Sequence, residues 1–126
     1  PTTAPKGPSA LFVAQATRFI ELGSKIVSTA KEGTQATFKE QLGEMKSILG
    51  LLKDTGGDLF SESARTKAQT AIDYWGEAGK AWDVSAGVDN ALGIKNPRPG
   101  LTAREYMDLA TRSFEAAKAE LIALLK

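Results

Sequence analysis

The chain has 126 residues, a net charge of +1 from sixteen basic and fifteen acidic side chains, and neither histidine nor cysteine. That length suits one domain with a core of its own, needing no disulfide or structural metal. The interleaved charges lack the basic block of a nucleic-acid footprint, and the missing imidazoles and thiols remove the commonest metal ligands, the usual general base and every thiol nucleophile.

Apolar residues make up 42% of the chain, a share that argues against disorder. The longest uncharged run, Gly7 to Thr17, is too short to cross a bilayer, so no transmembrane segment is expected. The absence of thiols fits a reducing cytosol, and Pro1 to Ala10 has no apolar stretch behind a basic start, so the expected location is cytoplasmic.

Residues 1–8 hold three prolines and a glycine and read as a flexible N-terminal arm. Ser9 is placed to cap the first helix. Phe12, Ala16, Phe19, Gly23, Ile26 and Ala30 then alternate spacings of four and three, one stripe of an α-helix. Glu21 and Lys25 stand in register for an i,i+4 pair. A second stripe runs Phe38, Leu42, Met45, Leu49 and Leu52. Between the two, Gly33 marks a change of register and Thr37 to Glu40 matches a capping box, so a break between Gly33 and Thr37 is the preferred reading. One continuous helix from Ser9 to Lys53, about 65 Å long at the standard rise, also fits the pattern.

Asp54-Thr55-Gly56-Gly57-Asp58 reads as a turn. Beyond it Phe60, Ala64, Ala68, Ala71, Trp75, Ala78, Trp82 and Ala86 form a third stripe, capped by Ser61 or Asp58. The segment Gly87 to Leu101 shows no helical period and ends in a Pro-Arg-Pro-Gly turn; Val88, Leu92, Ile94 and Leu101 within it suggest an apolar cap over one end of the molecule, and Lys95 and Arg98 a cationic tip. Thr102 to Glu105 is a second capping box. The last stripe takes Tyr106, Ala110, Ser113, Ala117, Leu121 and Leu124, flanked by Met107, Leu109, Phe114 and Ile122, with Asp108 and Arg112 as another i,i+4 pair. No segment alternates as a strand would. The expectation is an all-α protein, an antiparallel helical bundle of three to four amphipathic helices over residues 9–126.

Trp75 and Trp82 lie two turns apart on one face with Gly76 and Gly79 between them. Aromatic residues at helical spacing usually fill a core; the alternative is an apolar pocket or docking surface, and the indole N–H groups call for a partner in either case. Asp54, Asp58 and Glu62 are spaced by four, but they lack the alternating carboxylates and central glycine of a calcium loop, and turn and cap duty accounts for them. Glu40 with Glu44, and Asp73 with Glu77, read as solvated faces. Gly76 to Lys80 has the wrong spacing for a phosphate loop, and Met45 and Met107 read as core fillers. No metal and no cofactor is expected.

Phe19-Ile20-Glu21-Leu22, the helix from Phe38-Lys39-Glu40-Gln41-Leu42 into Lys53-Asp54-Thr55-Gly56, and the alanine- and aromatic-rich helix after it resemble the phasins, small helical proteins that coat polyhydroxyalkanoate granules. The resemblance covers Phe12 to Ala86, about 60% of the chain. The Trp75/Trp82 stripe, the proline-rich loop and the last helix depart from it. It implies a non-enzymatic protein that binds a hydrophobic phase, polymer, lipid or ligand through Phe12, Phe19, Phe38, Phe60, Trp75 and Trp82, with its charged faces in water. The alternatives are a helical self-assembly subunit, for which a homo-oligomer is expected, and a small enzyme working through carboxylates.

Overall fold

The computed structural model describes residues 9–95 and 97–125; the arm expected at 1–8 lies outside them. Each of the first three long helices starts where a side chain satisfies an orphan N–H group of its first turn. Helix α1 (Ala10–Glu32) is capped by Ser9, whose Oγ accepts from the Phe12 N–H at 3.1 Å. It ends at Gly33, and α2 (Gln35–Gly56) starts at once, with Thr34 accepting from the Thr37 N–H. The break is therefore real, but the cap is Thr34, three residues earlier than the capping-box pattern places it, and Thr37 is its partner. A single 3₁₀ turn (Gly57–Leu59) leads through Phe60 to α3 (Glu62–Ala91), capped by Ser61. Helix α4 (Leu101–Leu125) closes the chain. Among the described residues there is no strand.

Two further boundaries differ from expectation. Helix α3 runs through Gly87, an exposed position where a lone glycine costs about 1 kcal/mol and is tolerated. It stops at Leu92-Gly93, where Gly93 takes a φ of 79° and the Gly93 and Ile94 N–H groups donate to the carbonyls of Asn90 and Asp89. This is a Schellman ending, which needs glycine for its left-handed residue. Helix α4 begins one residue before Thr102, with the Arg104 N–H bonded to the Gly100 carbonyl, so Thr102 sits inside the first turn instead of capping it.

Ion pairs and hydrogen bonds fix the directions. Arg18 of α1 meets Glu44 of α2; Lys39 and Gln35, at the start of α2, meet Asp83 near the end of α3; Lys67, early in α3, meets Glu120 late in α4. The last two contacts set α2 against α3 and α3 against α4 antiparallel, and the short connection at Gly33-Thr34 turns α2 back along α1. The most extensive interfaces are α3 with α4 and α1 with α2, two hairpins; α2 with α3 and α1 with α4 join the hairpins through smaller ones. The expected i,i+4 pairs Glu21–Lys25 and Asp108–Arg112 do not close; the ion pairs among the described residues are the three above and Lys80–Glu77.

All the residues of the first three predicted stripes are buried. The fourth holds at Ala110, Ala117 and Leu121 and is displaced elsewhere. Ala103, Met107, Ala110, Phe114, Ala117 and Leu121 face inward, while Tyr106, Ser113 and Leu124 lie at the border. A stripe through Met107 and Phe114 buries the two largest apolar groups of the helix's first half, which one through Tyr106 and Ser113 would leave out. Small residues then set the helix spacing. Ala64, Ala68, Ala71 and Ala78 are buried on α3 and Ala103, Ala110 and Ala117 on α4, and these two helices share the most extensive interface, as small side chains allow. On α1, a Cβ at Gly23 would be driven into the Phe114 ring.

Two stability measurements test this packing. Gly23→Ala forces Phe114 out of its seat and should destabilise by about 1–3 kcal/mol, whereas Gly43→Ala, in open space on an exposed helix surface, should stabilise by about 0.5–1 kcal/mol; urea melts of both variants check the contrast. At the α3–α4 seam the Lys67 ammonium, 2.9 Å from Glu120, outweighs partial desolvation and, with the Ser63 hydroxyl, holds the Glu120 carboxyl below its ordinary value. A lowered folded-state pKa means stability that is present above the unfolded carboxylate range and lost as pH falls through the folded value. Glu120→Gln should flatten that acid limb in melts taken across the acid range.

Candidate functional site

The six aromatic residues singled out from the sequence do not form a surface. Phe12, Phe19, Phe38, Trp75 and Trp82 are 0% exposed and Phe60 is 1% exposed. In the closed bundle a polymer or lipid outside the molecule touches none of them. The physical reason is that the aromatic residues lie on the stripes the helices turn inward, where four such stripes face one another.

Their arrangement is specific nonetheless. At one end the Phe12 ring of α1 packs on Phe60, the residue leading into α3, with centroids 6.2 Å apart. In the middle Phe19 of α1 meets Phe114 of α4 at 6.0 Å, and Phe114 in turn meets Trp75 of α3 at 5.6 Å. At the other end Phe38 of α2 meets Trp82 of α3 at 5.6 Å. Three of these four contacts run from the α1–α2 hairpin to the α3–α4 side. Only Trp75–Phe114 lies within a hairpin. Phe114, which the sequence offered as a flanking residue, is the ring that links Phe19 to Trp75.

The two indoles differ in a way their spacing does not disclose. The Trp82 Nε1–H donates to the Pro97 carbonyl at 3.1 Å, which ties the loop between α3 and α4 onto the core; Pro99 is buried beside it. The Trp75 Nε1–H is buried with no acceptor. An unpaired buried donor costs about 1–3 kcal/mol.

The 3₁₀ turn between the hairpins is fastened by one side chain. Arg65 donates to the carbonyls of Phe60 and Gly57, and its guanidinium stands 5.6 Å from the Phe60 ring centroid. Gly57 has a φ of 51°, which favours glycine. At the far end, Lys39 and Gln35 hold Asp83 from the other side of the same helix pair.

The expected apolar cap is not where the sequence suggested. Val88, Leu92 and Leu101 are 59%, 73% and 70% exposed, Ile94 is 47% exposed, and Val84 beside them is 73% exposed. Helix α2 begins level with Asp83 and α4 level with Ser85, whose Oγ accepts from the Gly100 N–H, so the last turns of α3 project beyond their neighbours. They have nothing to pack against. Asp54, Asp58 and Glu62 do not converge; among the described residues no group of three acidic side chains is placed to hold a metal ion. No helix of the described residues is long and apolar enough to cross a membrane.

The chain matches no protein-family model, no curated protein and no solved structure. The likeness to phasins therefore rests on the residues quoted for it alone.

The difference between the indoles is measurable. Trp75→Phe removes an unpaired donor, while Trp82→Phe breaks a made bond and frees the Pro97 loop. In urea melts Trp82→Phe should cost at least about 1 kcal/mol more than Trp75→Phe.

Proposed function

We propose that this is a non-enzymatic, amphipathic helical protein that binds a hydrophobic phase by opening, keeping its aromatic face closed in water and presenting it at an apolar interface. The observation that carries the reading is the direction of the ring contacts. Phe19–Phe114 and Phe38–Trp82 join one hairpin to the other, so parting the hairpins uncovers those rings together, with Phe12–Phe60 at the pivot, while each hairpin keeps its own interface.

Three features support it. No polar or charged residue is fully buried among the described residues, so the parted faces are largely apolar, the buried oxygens of Gln15 and Gln41 and the Trp75 N–H being exceptions. The Trp75 indole N–H, unpaired inside the closed bundle, finds water at an interface, where tryptophan is favoured. The exposed apolar cluster of Val84, Val88, Leu92, Ile94 and Leu101 lies at the end opposite the Gly57 turn, where it would touch a hydrophobic surface first. In this reading the Gly57–Phe60 connection is the hinge and the Lys39–Asp83 pair the latch. Hydrophobic polymer and lipid are both suitable phases, as the phasin resemblance implies.

Self-assembly is the second reading, and the same exposed cluster favours it, since a second copy would cover those side chains as well as a lipid would. The two part company over the latch: association through the projecting end of α3 needs no opening.

The test uses the absence of native cysteine. Cysteines at positions 39 and 83, joined by a short cleavable bis-maleimide linker, lock the hairpins at the end away from the hinge. The unlocked protein should coat phosphatidylcholine-stabilised triglyceride droplets, the locked protein should not, and cleavage of the linker should restore coating. Coating that is indifferent to the lock would overturn the proposal, and a concentration-dependent native mass unaffected by the lock would favour self-assembly.

A further inference from the structure

A cleft of about 660 Å³ lies between the last turn of α1, the first turns of α4 and the loop that precedes them, within the range of about 300–1,000 Å³ usual for small-molecule sites. Its apolar wall is built by Val27, Ala30, Pro99 and Met107, of which the last three are buried residues. Its mouth carries three cations from three separate elements, Lys31, Arg98 and Arg104, and one carboxylate, Asp108. None of the three cations is in an ion pair among the described residues, although Arg104 and Asp108 stand at the i,i+4 spacing that commonly closes one.

The placement of Arg104 is electrostatically adverse for the helix alone. It lies in the first turn of α4, a turn with no acidic residue, where the helix already carries partial positive charge and a cation is destabilising. Gly100, ahead of that turn, has no side chain with which to cap it. Cation, helix end and a second arginine on the adjoining loop thus add the same sign at one rim of a cleft whose wall is hydrocarbon. Charge of that sign beside apolar surface is complementary to an anionic head with an apolar tail.

We infer that this cleft binds a single-chain carboxylate amphiphile, a fatty acid in its free monomeric form, with the carboxylate at Arg98 and Arg104 and the chain along Val27, Ala30 and Met107. Arginine suits the head because its planar fork pairs both carboxylate oxygens. Lys31 adds a third positive charge from the α1 side. This site belongs to the closed bundle, since its two walls come from helices of different hairpins, and it is independent of the opening proposed above.

The probe is dodecanoate, titrated below its micellar range and followed by calorimetry, beside dodecanol (the tail without the charge) and butyrate (the head with little tail). Saturable 1:1 binding of dodecanoate is expected, about tenfold or more tighter than dodecanol or butyrate, because charged hydrogen bonds and the apolar wall each contribute on that scale. The double variant Arg98→Gln/Arg104→Gln changes two exposed side chains and should keep its helix content while losing about tenfold or more in affinity. The protein locked at positions 39 and 83 should bind dodecanoate undiminished. Failure of saturation, equal affinity for dodecanol, affinity unchanged in the double variant, or loss of binding on locking would each overturn the site. Failure of droplet coating would leave it standing, because only the closed form is needed.

Discussion

Everything in this molecule hangs on how a few aromatic rings reach across between two helical hairpins. A fully buried phenylalanine or leucine is worth roughly 1.5–3 kcal/mol relative to exposure, so Phe12, Phe19 and Phe38 on one side and Phe60, Phe114 and Trp82 on the other represent a large part of what joins the halves. The alanine-lined seam of α3 with α4 and the α1–α2 interface hold each hairpin together by a different means, close backbone approach over long contact. The consequence is an uneven molecule. Its strongest packing is internal to the hairpins, and its most aromatic packing is between them.

That unevenness is what the proposed function draws on. A closed bundle whose six sequence-selected aromatics are all buried offers none of them to an apolar phase, so the proposed function requires rearrangement. The ion pairs lie on the outside, where Lys39, Gln35 and Asp83 join α2 to α3. Exposed pairs of this sort contribute little, typically up to about 1 kcal/mol, so what they fasten is easily released. The anionic-amphiphile cleft uses the complementary arrangement: residues of α1 and α4 form its wall only while the halves are together.

How much of this was legible in the sequence depends on the kind of information each feature needs. The inward stripes of α1, α2 and α3 were legible because large apolar residues recur at helical spacing with charges between them. The α4 stripe is legible at Ala110, Ala117 and Leu121 but one position off at Tyr106 and Ser113, because the packing of Met107 and Phe114 inside the bundle, not their spacing, decides which neighbour faces inward. Capping boxes at Thr37 and Thr102 misplaced two helix starts, since Thr34 and the Gly100 carbonyl serve the first turns instead. The helical period fades after Ala86, yet α3 runs on to Ala91 and stops only at Leu92-Gly93. The six aromatic candidates were identifiable as a set, but their partners across the hairpins were not. The cleft was invisible from sequence because Lys31 meets Arg98 and Arg104 only after the chain has turned back on itself three times.

The up-and-down path of the chain also bears on how it is made. Three of its four helix–helix interfaces join elements adjacent in sequence, through connections of at most nine residues; only α1 with α4 brings distant segments together. Loop closure is therefore inexpensive for most of the structure, and topologies rich in local contacts fold on microsecond to millisecond timescales. The docking of α1 against α4, seating Phe114 over Gly23, is the one long-range event, and it falls naturally at the end. A chain built this way emerges with its greasiest surfaces matched late, which gives a nearby apolar phase a chance to intercept it before the bundle ever shuts.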